Sequence, residues 1–101
     1  MTTFDTVRER YAWRPIPNCP GRFVLKKTSA TPLEIAGVTA GEQRYQPAAG
    51  RDPVVVVRFS DGGGLISYAH ADGFVHTLNT SEGMARKLSA LGVAATDRRG
   101  G

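Results

Sequence analysis

Residues 53–92 read PVVVVRFSDGGGLISYAHADGFVHTLNTSEGMARKLSALG. Within them, 54–59, 65–70 and 74–78 are rich in β-branched and aromatic side chains, and the breaks between these runs carry aspartate and glycine. The stretch therefore predicts an antiparallel three-strand meander. Asp61-Gly62-Gly63-Gly64 supplies residues that tolerate positive φ, and Ala71-Asp72-Gly73 places glycine where a three-residue hairpin loop needs it. With Gly62-Gly63 read as a two-residue loop and 71–73 as a three-residue one, three cross-strand rows follow. They are Phe59, Ile66 and Leu78; Val57, Tyr68 and His76; and Val55, His70 and Phe74. All fall on one face, because strand side chains alternate with a period of two, and Arg58, Ser67, Thr77, Val56, Ala69 and Val75 take the other.

Past Leu78 the apolar spacing becomes helical, with Met84, Leu88 and Leu91 on one stripe. Asn79 or Thr80 can serve as N-cap, Glu82 and Arg86 are spaced for an i, i+4 ion pair, and Gly92 is a C-terminal stop. A helix over 81–91 is expected. Upstream, Phe4, Val7 and Tyr11 share a helical face within 3–11, and Trp13 leads into a proline-rich arm ending near residue 21. Residues 22–27 (RFVLKK) form a good strand and 33–38 a weaker one. Residues 39–52 read as a long loop with a short irregular strand at 44–46. The expected architecture is a single α+β or mainly β domain. A five-stranded antiparallel sheet, open or curled into a small SH3-like barrel, is closed by the C-terminal helix, with an N-terminal arm over 1–21, a body over 22–93 and a flexible tail over 94–101.

The chain has 101 residues, a net charge of +4 and a single cysteine. No run is long and apolar enough to span a membrane or act as a signal peptide, so no membrane association and a cytoplasmic location are expected. One cysteine forms no internal disulfide and gives no thiolate set for zinc. Ten of the thirteen cations are arginine, but they are dispersed, so the charge permits nucleic-acid binding without requiring it.

Chemistry-bearing residues are few. Cys19, in Pro17-Asn18-Cys19-Pro20-Gly21, stands on a stiff turn between Arg14 and Arg22, where a reactive thiolate or a Cys-Pro haem ligand is conceivable. Its only candidate bases are histidines far along the chain, so a semi-buried turn cysteine is the simpler reading. His70, Asp72 and His76 bracket a hairpin loop. They read as histidines at the edge of an aromatic core rather than metal ligands, with Asp72 explained by turn chemistry. Asp61 with three glycines lacks the lysine and following helix of a phosphate loop. No cofactor and no metal are expected.

The tail Asp97-Arg98-Arg99-Gly100-Gly101 resembles the C-terminus of ubiquitin-like modifiers and sulfur carriers, which implies a diglycine presented to an activating enzyme. The resemblance covers about five residues. The helix here follows three consecutive strands, unlike the order of the β-grasp fold those proteins share.

With no complete catalytic constellation, the sequence points to a non-enzymatic adaptor or regulatory domain. It would recognise a protein partner through a strand edge or the sheet face around Arg58 and Tyr68, with His70, His76, Arg22 and Lys26 as further binding residues. A second reading is a module for RNA or other single-stranded nucleic acid that uses the dispersed arginines. No feature of the sequence assigns an oligomeric state.

Overall fold

The computed structural model describes residues 2–38, 42–45 and 53–92. Its elements run α1 (Phe4–Arg8), β1 (Arg14–Pro15), β2 (Arg22–Thr28), α2 (Pro32–Ala36), β3 (Val54–Arg58), β4 (Gly64–His70), β5 (Gly73–Asn79) and α3 (Ser81–Leu91). The five strands form one sheet in the order β1-β2-β5-β4-β3, every pairing antiparallel. This is the expected α+β domain with a C-terminal helix, but β1 and β3 remain as separate edges, so the sheet is open and not a barrel.

The meander forms from the expected strands in a different register. Arg58 pairs with Gly64, leaving a five-residue connection over 59–63. Phe59 N–H donates to the Gly63 carbonyl at 2.7 Å, and Asp61 Oδ1 accepts from Gly63 N–H at 3.0 Å. At the second turn His70 pairs with Gly73, so the loop is Ala71-Asp72 alone, with Gly73 at φ 135°. Both changes are odd-numbered slips of β4 against its neighbours. β3 and β5 therefore keep the faces expected of them, and β4 alone turns over. Leu65 and Ser67 join Val57, Val55, Leu78 and His76 on the first face, while Ile66, Tyr68 and His70 go to the second with Val54, Val56, Arg58, Val75 and Thr77.

Each face has its own core. On the first, Val57, Leu65, Leu78 and Phe59 pack with Val7 of α1 and with Ile35 and Ala36 of α2, bordered by Trp13, Phe23 and Leu25. On the second, Val54, Val56 and Ile66 pack with Met84 and Leu88 of α3, bordered by Tyr68 and Leu91. The result is three layers.

α2 replaces the weak strand expected at 33–38. Thr31 caps it, with Pro32 in the first turn, and Thr31 and Glu34 exchange side-chain-to-backbone bonds of 3.2 and 2.9 Å. That capping box, closed by Gly37 in the left-handed region, outweighs the poor helical period of so short a segment. The N-terminal helix is shorter than 3–11, ending at Arg8. The proline-rich arm contributes an edge strand, Arg14 opposite Val24 and Pro15 opposite Phe23. Trp13 anchors it by donating from Nε1 to the Val7 carbonyl at 3.1 Å. Residues 42–45 hold no strand, and the rest of the 39–52 segment and the 94–101 tail lie outside the described residues.

α3 is capped by Thr80, whose side chain accepts from Gly83 N–H at 3.2 Å, and ends at Gly92 with φ 74°. Asn79, the cap first expected from its spacing to Glu82, is instead buried at the end of β5. The helix sits low enough that a Cβ on Gly64 would stand 2.5 Å from the Val57 carbonyl oxygen and 2.6 Å from Met84 Cε. Gly64→Ala should therefore destabilise by about 1–3 kcal/mol, the usual cost of overpacking. A lowered urea midpoint at unchanged m-value is the expected result; an unchanged midpoint would contradict this close approach of β4, β3 and α3.

Candidate functional site

The corrected register separates the residues that the sequence suggested together. His76 is on the first face and fully buried, whereas His70 is on the second face, exposed at the end of β4. They form no pair, and among the described residues no group of three His, Cys, Asp or Glu side chains could hold a metal. His76 Nε2 is 3.2 Å from the Ala30 carbonyl, which can only accept, so this nitrogen carries the proton. Nδ1 then accepts from the Ser67 hydroxyl at 2.5 Å. The ring is also stacked on Phe74, centroids 5.5 Å apart.

A serine donating to a histidine resembles part of a nucleophilic dyad. Here both residues have no solvent exposure, so no substrate reaches the hydroxyl. The contact instead ties β4, β5 and the segment after β2 together. Cys19 is half-buried in the turn between β1 and β2, where its N–H donates to the Ile16 carbonyl and its carbonyl accepts from Arg22 N–H.

The second face carries Arg22, Lys26, Arg58, Tyr68 and His70, whereas His76, also expected as a binding residue, is buried on the first. A helix is about 10 Å across and strands are about 4.8 Å apart, so one helix shields roughly two strands. Among the described residues, the first face has α1, α2 and Trp13 over it and the second has α3 alone. α3 begins beside β5 and lies on Val54, Val56 and Ile66, covering the β3–β4 side. Val24 and Val75 occupy the same face on β2 and β5, are only half-buried, and belong to neither core. With Tyr68 they floor a strip that no described helix covers, Thr77 lying buried between them.

Cations surround that strip. Arg14 stands opposite Val24 on the edge strand. A bulge sets both Lys26 and Lys27 against the single residue Val75, Lys27 taking a φ of 52°. Arg22 lies along α3, its stem against Gly83, where a Cβ would meet its Cγ at 3.2 Å. From the other side, Lys87 of α3 sits 5.5 Å from the centre of the Tyr68 ring. Arg58 is half-buried at the far edge, in the row of Gly64, Asn79 and Arg22, away from the open strip.

Most acidic groups lie elsewhere. Asp5 and Glu9 belong to α1 and its cap, Glu34 to α2, Glu42 accepts from Thr2, and Asp61 accepts from Phe4 N–H. Among the described residues, ion pairs join Arg8 to Asp5 and Arg86 to Glu82, and neither uses a cation of the strip. Asp72 at the β4–β5 turn and Glu82 in the first turn of α3, paired with Arg86, are the acidic side chains on the elements that border it among the described residues. Lys87, Arg14 and Val75 were not expected as site residues, whereas Lys27 was read with Arg22 and Lys26 as part of a basic strand near the polar face. The two-lysine bulge and the helix flank that carry them follow from the three-dimensional register alone.

The strand edges are less available. Val54, Val56 and Val57 of β3 are at most 4% exposed, backbone included, and β1 is two residues long with a proline. No family model, curated protein or solved structure matches the chain.

Burial pushes the His76 imidazole below its ordinary pKa of 6.5, a shift partly offset by the bond to Ala30. The unfolded chain therefore binds a proton that the folded chain resists. The contribution from neutral His76 is complete above about pH 6.5 and is lost as pH falls from there through the lower folded value. Urea midpoints measured from pH 7.5 down to 5 should fall more steeply in the wild type than in His76→Gln. Parallel slopes would contradict the buried neutral ring. Ser67→Ala, which strands Nδ1 without a donor, should cost about 1–3 kcal/mol at pH 7.5.

Proposed function

We propose that this chain is a non-enzymatic recognition domain that holds a negatively charged macromolecular partner on the open strip of its second sheet face. The observation that carries the reading is the combination of a half-buried apolar floor with cations on both sides, Asp72 at the β4–β5 turn and Glu82, paired with Arg86, being the acids on the elements that border it among the described residues. Half-buried apolar side chains and surface cations cost little in water when scattered. Their concentration on one strip, beside a helix too narrow to cover it, favours a surface used for contact.

The domain needs no strand edge for this. Burial of Val54, Val56 and Val57 on β3, and the bulge that breaks the β2 edge beyond β1, speak against adding a partner strand to the sheet, so the face is the better site than the edge. Among the described residues no helix is long and apolar enough to cross a membrane. A protein partner, the first expectation from sequence, would have to present an acidic segment to this strip.

The test is capture from native cells with the tagged chain at low and moderate salt, comparing wild type with Lys26→Glu/Lys27→Glu and with a charge-matched control, Arg8→Glu/Arg44→Glu. Bound protein and bound nucleic acid are both quantified. The strip variant should lose at least tenfold of the salt-sensitive bound material while the control keeps it. Equal retention by the two variants would remove the assigned surface.

A further inference from the structure

We infer that the occupant of the open strip is single-stranded nucleic acid, its phosphates held by Arg14, Arg22, Lys26, Lys27 and Lys87 and its bases lying over Val24, Val75 and Tyr68. This rests on the recognition face proposed above and names its partner. The two occupants compatible with the charge are an acidic peptide and a nucleic-acid strand, and three features separate them.

The first is the state of the backbone. The strip lies on the face of the sheet, where side chains and not backbone groups project, and the edge of β2 that β1 leaves uncovered, over 25–28, is broken by the bulge with Lys27 at φ 52°. An extended peptide placed there finds no free ladder of N–H and C=O groups, and its own backbone groups would lose water without gaining partners. A nucleic-acid strand has no such demand, because its affinity comes from phosphates and from the flat faces of bases.

The second is the layout of charge. Arg14, Arg22, Lys26 and Lys27 come from β1 and β2 along one side, and Lys87 stands on α3 along the other. Positions two apart on a strand are separated by roughly 6.8 Å, so the cations form a line rather than a point. A line suits a polymer carrying one charge per unit, whereas a single phosphate or carboxylate would engage only one or two of them.

The third is the floor. Val24, Val75 and Tyr68 offer apolar and aromatic area without an acidic group among them. A base can lie flat on Val24 and Val75 whatever its identity, and Lys87, held over the Tyr68 ring, places a cation on the aromatic side of the floor. A duplex keeps its base faces inside the stack and would reach the rim alone. The strip therefore favours single strands over duplex, with little sequence preference.

Fluorescence anisotropy with a labelled short oligo(U), the matching duplex, and polyglutamate as competitor tests the inference. Log affinity should fall with log salt at a slope of roughly −3.5 if all five cations engage phosphates, by the single-strand factor of about 0.7 per contact. Lys26→Glu/Lys27→Glu should make that slope shallower by roughly 1.4 and weaken binding tenfold or more at about 50 mM salt. Lys87→Gln, which leaves the bulge intact, should make it shallower by roughly 0.7. Circular dichroism of both variants should match the wild type.

Polyglutamate that displaces the oligonucleotide at equal charge concentration would overturn the nucleic-acid assignment and leave the recognition face standing with an acidic protein as occupant. Duplex bound as tightly as single strand would overturn the base-stacking floor. Absence of any nucleic-acid binding, with cellular capture still lost in the strip variant, would overturn this inference alone. Capture that is indifferent to the strip variant would overturn the recognition face itself.

Discussion

Leu65, Ile66 and Ser67 are consecutive in β4 and all fully buried, although their side chains alternate between the two faces of the sheet. Consecutive strand residues can be shielded together only if something covers each face at that strand. The chain meets this demand with helices from both ends: α1 and α2 lie on one face and α3 on the other. The short capped helices, the close approach at Gly64 and the tie from Ser67 through His76 to Ala30 all serve to keep β4 in this position.

Coverage is unequal because the helices are unequal in number. On the first face Val7, Ile35 and Ala36, helped by Trp13, spread over the width of the sheet. On the second, α3 is eleven residues, about 16 Å long, and must satisfy Val54, Val56 and Ile66 at the β3–β4 side. β2 and β5 are left with a half-buried strip. The bulge at Lys26 and Lys27 twists the strand at the margin of that strip, and the cations it carries keep an apolar surface in water without inviting a second copy, since like charges would face one another. Fold and proposed function thus share one cause, a central strand buried on both sides by helices that cannot cover everything.

How much of this could be read from the residues differs by element. The helix over 81–91 was legible in full, because Thr80, the Met84, Leu88 and Leu91 stripe, the Glu82–Arg86 pair and Gly92 agree with one another. The three meander strands were legible from β-branched content. The register was not, because a run of Asp and three glycines accommodates several loop lengths at nearly equal cost. The outcome was set by Phe59 staying in the core and by the Asp61 bonds to Gly63 and Phe4. α2 carried a readable signal, Thr31-Pro32-x-Glu34, which was outweighed by the β-prone look of its short apolar run. For the site, Arg22, Lys26 and Lys27 were named from the sequence as a basic strand near the polar face, whereas Tyr68 and His70 were assigned to the opposite face and reach this one only because β4 turns over. Lys87 and Arg14 were not legible, since each reaches that face from an element whose position only packing decides.

The most direct test of the account is an amide chemical-shift titration of the labelled protein with a short single-stranded oligonucleotide. The account predicts shifts concentrated at Arg14, Val24, Lys26, Lys27, Val75 and Lys87, with α1 and α2 silent across the sheet. Shifts centred on α1 and α2, or absent throughout at low salt, would contradict it.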